Sequence, residues 1–323
     1  MDTKTITDTI KRLKIVKFIE EKFWLPLIIA LILGLLIPTF GKSLNFLIIP
    51  FLMIILFLTY FKTDLIEIIS HIKKPFFLIY VLIIFLLIIP AAVFIFFQFI
   101  NPELSIGFLL LCSMPAGVSS PVFTNIVKGN TSLTIVVSFI SHLVVPFTVP
   151  LLFLLLTQKV LAIDLWNLSK ILLLLGFVPL LFAQIVRKTN QKFINSTRSY
   201  YGFISIIIIS FLVYIAIANQ SREILDNPVS TFLDILWLYG LFIFLHIVGY
   251  LTAFWRNKED KIALSVAKTY MNNSLALGLA IAFFPPKIAL LVALSEIPWT
   301  TTLAPFNYFI KKISQHRQKE MLN

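Results

Sequence analysis

Long apolar segments separated by short polar ones make up most of this chain. Several of these segments approach or exceed the roughly 20 residues that an α-helix needs to cross a bilayer. Ten apolar runs can be read, at residues 23–40, 44–61, 75–99, 105–127, 131–157, 169–186, 201–219, 232–255, 261–284 and 287–310. The pattern predicts an all-α polytopic membrane protein with ten transmembrane helices.

The composition strengthens this prediction. The chain has 323 residues, of which 59% are hydrophobic and 13% charged, and its mean hydropathy is +0.96. Soluble domains carry roughly 45–50% apolar and about 25% charged residues. The apolar runs leave only short connections, which excludes a sizeable soluble domain. Cys112 is the single cysteine, which excludes a disulfide scaffold.

The ends of the chain are more polar than its middle. In residues 1–22, Ile6, Ile10, Leu13 and Phe18 lie loosely on one side of a helix, which predicts a cytoplasmic segment lying at the membrane interface. Residues 311–323 are predicted to form a cytoplasmic tail. Between these ends, residues 23–157 and 158–310 contain five apolar runs each.

The basic residues predict the orientation of the chain. The net charge is +12, which in a soluble protein would suggest a nucleic-acid partner. If the N-terminus is cytoplasmic, most of the 27 basic residues fall on the cytoplasmic side. The residues on the opposite side are Lys42, Lys159, Lys170, Arg222 and Lys287. Positive charge marks cytoplasmic loops, so we expect a protein of the cell's inner (plasma) membrane with both termini in the cytoplasm. We expect no nucleic-acid partner.

Two of the apolar runs are interrupted at matching positions. The fourth contains the segment Ser113–Pro121 and the ninth contains Lys268–Ser274, and both are rich in helix-breaking or polar residues. Each is the fourth run in its set of five, and an odd number of spans inverts the second set. Matching breaks in two inverted repeats point to a transport site at the bilayer midplane. The alternative is that Pro and Gly merely kink two helices.

The two interrupted segments resemble those of a known family. Met114-Pro-Ala-Gly-Val-Ser-Ser-Pro-Val122, with Val127-Lys-Gly-Asn-Thr-Ser-Leu-Thr134, looks like a Pro-Gly-Gly-Thr-x-Ser-Asn segment followed by Arg-Gly-Asn. Met271-Asn-Asn-Ser274 looks like the end of a Glu-x-Gly-x-Gln-Asn-Ser segment. Both belong to the bile acid:sodium symporter family, which includes bacterial homologues of the apical bile acid transporters. The chain resembles a divergent member.

The resemblance implies an architecture and a place for the substrate. Helices 3–5 and 8–10 form a core domain in which helices 4 and 9 are broken and cross. Helices 1, 2, 6 and 7 form a panel domain, and the substrate binds between the two domains. The resemblance also implies positions for sodium ligands. The first set is Ser120, Pro121, Thr134, Ser138 and Lys268, and the second is Lys268, Thr269, Met271, Asn272 and Phe85.

The sodium positions depart from the family pattern. The family has Glu at position 268, Asn at position 121 and Gln at position 85, whereas this chain has Lys268, Pro121 and Phe85. An ammonium repels a sodium ion and can fill its volume. The departures therefore predict a degenerate sodium site, no bound metal and sodium-independent transport.

Two ionisable residues fall deep inside apolar runs, namely Lys268 in the ninth and Glu296 in the tenth. A charged side chain at the centre of a bilayer costs at least about 2.5–3.5 kcal/mol. The two runs are adjacent and antiparallel, so we expect the residues to form an ion pair. The pair could be static and replace the bound sodium. Alternatively, Lys268 changes protonation or receives an anionic substrate during transport.

Further polar residues line the same region. Thr134, Ser138 and His142 share one side of the fifth run, which we expect to face the crossing. His142 is a candidate proton carrier, or is simply hydrogen-bonded to a neighbouring helix. The other polar candidates could line a cavity or bond between helices, and they are Ser119, Asn273 and Ser274.

Together these features predict a secondary active transporter of a small or amphipathic organic anion, working by alternating access without a cofactor. The positive ends of broken helices and Lys268 favour an anion. Coupling could be to protons, less readily to sodium, or absent. The alternatives are a conventional sodium-coupled symporter and an arsenite-type exporter that uses Cys112. An intramembrane enzyme would need a catalytic pair or metal motif that the sequence lacks, and a channel or sensor would not need the matching breaks.

Overall fold

The computed structural model of the chain describes residues 16, 18–19, 22, 24–61, 75–157 and 164–322. The predicted interfacial segment, residues 1–22, therefore lies almost entirely outside the described residues. Helix occupies nearly all of the described ranges, and no strand occurs within them.

The helices are numbered here in chain order. The first half contains α1 (Trp24–Leu36), α2 (Pro38–Ser43), α3 (Ile48–Phe61), α4 (Pro75–Ile83), α5 (Ile89–Gln98), α6 (Pro102–Ser113), α7 (Ser120–Ile126) and α8 (Thr131–Thr157). The second half contains α9 (Leu165–Thr189), α10 (Gln191–Thr197), α11 (Tyr201–Asp226), α12 (Pro228–Leu251), α13 (Lys258–Thr269), α14 (Asn273–Phe283), α15 (Pro286–Leu294), α16 (Glu296–Thr301) and α17 (Leu303–Leu322). A π-helical turn, Ile84–Ile88, joins α4 to α5.

Hydrophobic length identifies the class of fold. In the described part of the chain, six helical segments are long and apolar enough to cross a membrane, and four shorter helical segments are also apolar. Many large apolar side chains on these helices remain exposed, as expected for surfaces that face lipid. The prediction of an all-α membrane protein is confirmed.

The chain divides into two compact units. One consists of Met1–Asp64 and Leu174–Asp226, and the other of Leu65–Leu173 and Asn227–Asn323. In the first unit, α1 and α2 pack against α11, and the Tyr214 hydroxyl donates a hydrogen bond to the Ile37 carbonyl at 2.8 Å. In the same unit, Arg187 Nη1 donates to the Phe61 carbonyl at 3.0 Å.

The second unit contains both interrupted segments. Its helix α13 is buried along most of its length and packs against α12. The Ser265 hydroxyl donates across this interface to the His246 carbonyl at 2.7 Å. A side chain at Gly249 would lie 2.8 Å from Ser265 Cα, so the close approach of the two helices requires glycine there.

A buried carboxylate joins the starts of α8 and α13. Asp260 is 1% exposed and accepts a hydrogen bond from Asn130 Nδ2 at 2.7 Å. It also accepts from Arg256 Nε at 2.8 Å, so both of its oxygens are paired. Asn257 caps α13 by accepting a bond from the Asp260 N–H. The network fixes the position of the start of α13. The other end of this helix lies at the second interrupted segment.

Candidate functional site

Two broken helical segments meet inside the second unit. Helix α6 ends at Ser113 and α7 begins at Ser120, whereas α13 ends at Thr269 and α14 begins at Asn273. The extended residues between them form an isolated antiparallel bridge between Ala116 and Met271. We call residues 114–119 and 270–272 together the crossing.

Backbone hydrogen bonds hold the crossing together. The Gly117 N–H donates to the Tyr270 carbonyl at 2.7 Å, and the Asn272 N–H donates to the Pro115 carbonyl at 2.8 Å. Each interrupted segment thus satisfies polar groups of the other, which a broken helix at membrane depth requires. A Cβ at Gly117 would lie 2.6 Å from the Tyr270 oxygen, so only glycine permits this approach.

The polar stripe of α8 lies against the crossing. Ser138 Oγ donates to the Ala116 carbonyl at 2.9 Å, and Ser141 Oγ accepts from the Ala116 N–H at 3.1 Å. Further along the stripe, Thr134 and Thr124 share a hydrogen bond between their hydroxyls at 2.9 Å. These bonds anchor the first interrupted segment to an unbroken helix.

His142 and Asn272 connect α8 to the second interrupted segment through hydrogen bonds of fixed direction. His142 Nδ1 lies 2.8 Å from the Ser138 carbonyl, which can only accept, so Nδ1 carries the proton. Asn272 Oδ1 accepts from the Leu275 N–H at 3.1 Å and so caps α14. This orients Asn272 Nδ2 toward His142 Nε2, 2.9 Å away. The imidazole is therefore neutral and accepts at Nε2.

Lys268 lies at the centre of the site. It is 3% exposed, and its Nζ donates to the carbonyls of Phe85 and Cys112, both at 2.6 Å. The Nζ also lies over the Phe85 ring, 5.6 Å from the ring centroid. The expected ion pair is wrong, because among the described residues Lys268 makes no salt bridge with Glu296.

The Phe85 carbonyl is available because of the π-helical turn. The Ile89 N–H bonds to the Ile84 carbonyl, one residue further back than in an α-helix, and so does not reach Phe85. The next residue, Pro90, has no N–H to donate. The Phe85 oxygen is thereby left without a backbone donor in the middle of an apolar helix, and Lys268 supplies one.

The Cys112 carbonyl is available because α6 ends. In a continuing helix the Ala116 N–H would bond to the Cys112 oxygen, but here it donates to Ser141. The last carbonyls of a helix also carry the negative end of its dipole. Lys268 therefore caps the end of α6 with a hydrogen bond and a positive charge.

Glu296 occupies a different place from the one expected. It is 5% exposed and begins α16. Asn273, the first residue of α14, donates to Oγ of Ser295, the residue before Glu296, at 3.0 Å. Lys268 thus lies at the end of α6, whereas Glu296 lies at the start of α16. This arrangement replaces the ion pair.

The remaining candidate residues are distributed around the crossing. Ser119 is half-buried at the start of α7, and Ser120 Oγ donates to the Gly117 carbonyl at 2.5 Å. Ser274 is buried in α14. Thr269 is fully buried, and its hydroxyl has no hydrogen-bond partner among the described residues. Sequence reasoning missed Trp299, whose indole N–H donates to the Met271 carbonyl at 3.3 Å.

The donor set does not fit a sodium ion. Pro121 has no side-chain oxygen, Phe85 offers a hydrocarbon ring, and Lys268 brings an ammonium to positions where the family has oxygen ligands. A sodium ion prefers several oxygen ligands, and the side chains at these three positions supply none. In the part of the chain that the structure describes, no group of three or more His, Cys, Asp or Glu residues could hold a metal ion.

The fold and the family comparison define a multi-pass membrane transport protein. The model of the SBF-like CPA transporter family matches residues 21–295. The chain belongs to this family, and the resemblance to bile acid:sodium symporters is confirmed.

Three relatives are similar to this chain over different shares of their length. The sodium-dependent transporter YocS of Bacillus subtilis is 26% identical over 295 residues, covering 88% of this chain and 89% of the relative. The protein YbaS of Bacillus subtilis is 24% identical over 222 residues, covering 66% of this chain and 70% of its own. The probable chloroplastic sodium/metabolite cotransporter BASS1 of Oryza sativa subsp. japonica is 23% identical over 199 residues, covering 59% and 47%.

Proposed function

We propose that the chain is a secondary active transporter of a small or amphipathic organic anion, which works by alternating access and does not require sodium. The single observation that carries the proposal is the crossing of two broken helices around a buried lysine. A crossing of this kind at membrane depth is typical of a transport site. The proposal assigns the protein no enzymatic activity.

The proposed architecture has ten transmembrane helices in two inverted repeats. The division into two units supports it, because Leu65–Leu173 with Asn227–Asn323 contains runs 3–5 and 8–10. We assign this unit as the core domain and the unit of Met1–Asp64 with Leu174–Asp226 as the panel domain. The distribution of basic residues supports cytoplasmic termini in the inner membrane.

Charge supports the anionic substrate. Lys268 is the basic residue buried at the crossing, and the potential of a buried cation favours an anion nearby. The family resemblance adds organic anions as the chemical class. A relative named as a sodium/metabolite cotransporter is consistent with a small organic substrate.

Sodium independence is proposed from the residues at the mapped sodium positions. Two relatives are named for sodium, so the proposal separates this chain from them. Met271, one of those positions, already accepts hydrogen bonds from Trp299 and from the Asn273 N–H. The Ser120 and Ser138 hydroxyls donate to backbone carbonyls of the crossing. These groups already take part in hydrogen bonds that stabilise the crossing.

Uptake by proteoliposomes tests the proposed function. The full-length protein would be reconstituted and offered short-chain carboxylates, aromatic carboxylates and cholate, in sodium buffer and in choline buffer. We expect the accepted anion to enter equally well in both buffers. The relatives' names favour a second candidate, a conventional sodium-coupled symporter. A strict sodium requirement for uptake would support that candidate and contradict the proposal.

A further inference from the structure

We infer that Lys268 is a built-in cation, which permanently replaces a dissociable ion in holding the broken end of α6 against the π-helical turn and α13. Lys268 is then a positioning residue, because its Nζ bonds to the Phe85 and Cys112 carbonyls, and its charge favours an anionic substrate through the electrostatic potential without contacting it. The inference deepens the proposed function, and rests on it only for the link to transport.

Two buried carbonyls, those of Phe85 and Cys112, lack a backbone hydrogen-bond donor. The Phe85 oxygen loses its backbone donor because the π-helical turn shifts the Ile89 bond and Pro90 has no N–H. The Cys112 oxygen loses its donor because α6 ends and the Ala116 N–H bonds to Ser141. The two oxygens come from different segments and lack a backbone donor for independent reasons. Both nevertheless accept a hydrogen bond from Lys268 Nζ.

The surroundings of Lys268 Nζ favour a positive charge on this nitrogen. Both N–O distances are 2.6 Å, just below the range of about 2.7–2.9 Å that is typical of hydrogen bonds from a charged donor. The negative end of α6 and the face of the Phe85 ring also favour a cation. The end of α6 and the Phe85 ring therefore both favour an ammonium at Nζ.

The ammonium of Lys268 is covalently attached to the chain, unlike a bound ion. A free ion loses translational entropy each time it binds and can leave again, so its occupancy follows its concentration. The Lys268 ammonium is carried on α13 and cannot dissociate, so the two carbonyls keep their cation at any sodium concentration. The crossing is therefore assembled without an ion gradient.

Chemical rescue tests this inference. Lys268→Ala removes three methylene groups and the ammonium, which together match propylammonium in size. In the purified full-length protein, we expect this variant to lower the thermal unfolding midpoint by roughly 5 °C or more. Propylammonium should restore at least half of that loss. Propanol, which has similar size but no charge, should restore much less.

Two further variants serve as control and second test. Lys268→Met fills the space without a charge, so it should lose stability and gain nothing from propylammonium. Lys268→Glu places a carboxylate beside the two carbonyls, so its unfolding midpoint should become higher in sodium than in choline. The wild-type midpoint should be the same in both salts.

Specific outcomes overturn the inference. It is wrong if Lys268→Met is as stable as the wild type, or if propanol rescues Lys268→Ala as well as propylammonium does. If Lys268→Ala does not accumulate, a Lys268→Glu midpoint that is independent of cation overturns it. All these readouts measure stability without transport, so the inference can fail while uptake succeeds, or hold while the proposed function fails.

Discussion

Lys268 Nζ donates a hydrogen bond to the main-chain oxygen of Phe85 at 2.6 Å, across 183 positions of sequence. The contact joins a side chain at the end of one broken helix to a carbonyl that a π-helical turn leaves without a donor. At this position the resemblance places a glutamate that helps to bind sodium. The structure has a cation on the chain itself, bound to main-chain oxygens.

Lys268 and Glu296 are predicted to act independently. Lys268→Met should cost about 2–5 kcal/mol of stability, because it leaves two buried carbonyls unpaired. The double variant Lys268→Met with Glu296→Gln should lose the sum of the two single losses, within about 0.5 kcal/mol. Unfolding in detergent measures all three. A double variant that is clearly more stable than the sum of the two single losses predicts would indicate that Lys268 and Glu296 form an ion pair.

Pro90 is predicted to be coupled to Lys268. Pro90→Ala returns an N–H to this turn and lets it adopt regular α-helical bonds, in which the Ile89 N–H takes the Phe85 oxygen. The substitution should therefore be more favourable in the Lys268→Met background, by about 0.5–3 kcal/mol. Pro150→Ala in α8 is the matched control, since Pro150 also lies within a helix, and it should show no coupling. Equal effects of Pro90→Ala in both backgrounds would contradict the account of the turn.

Gly117 is predicted to be indispensable for the crossing. A methyl group there would lie 2.6 Å from the Tyr270 oxygen, so Gly117→Ala should cost about 1–3 kcal/mol and impair uptake. Gly240→Ala is the control, because among the described residues no atom outside the neighbouring backbone of its own helix lies within 4 Å of a Cβ at that position. It should be neutral or slightly stabilising, as alanine favours helix. Thermal unfolding and uptake of both variants check the prediction, which fails if they behave alike.

Asn272 is predicted to contribute more than a helix cap. Asn272→Ala removes the cap of α14 and also leaves His142 Nε2 without its amide donor. Asn101 caps α6 through the N–H groups of Glu103 and Leu104, so Asn101→Ala measures the cap alone. A cap is typically worth about 1 kcal/mol. The loss at Asn272 should exceed the loss at Asn101 by about 1–3 kcal/mol in unfolding measurements. Equal losses would mean that the histidine contact contributes nothing.

Much of the fold could be predicted from the sequence because the thickness of the bilayer sets both the length of the apolar runs and the length of the helices. Apolar runs such as 75–99 and 131–157 coincide with helical segments Pro75–Gln98 and Thr131–Thr157. The breaks were also predictable, since Pro115, Gly117 and Asn272 interrupt otherwise apolar helices. Period alone aligned Ser138 with His142, and the structure places both beside the crossing.

The partners of Lys268 could not be predicted from side chains. Its acceptors are main-chain oxygens, which every residue carries, and only the local hydrogen-bond pattern frees those of Phe85 and Cys112. Pairing Lys268 with Glu296 followed from charge and chain order, but Lys268 bonds to two main-chain oxygens instead. Trp299 was missed because an aromatic residue near the end of an apolar run is ordinarily a packing residue.

Sodium binding to the wild-type protein tests the central claim most directly. Purified full-length protein would be equilibrated with radioactive sodium, with choline as the competing salt control and Lys268→Glu as the comparison. If Lys268 is the permanent cation of the crossing, the wild type shows no saturable sodium binding, whereas Lys268→Glu binds sodium above the control. Saturable, choline-resistant sodium binding by the wild type would contradict the account.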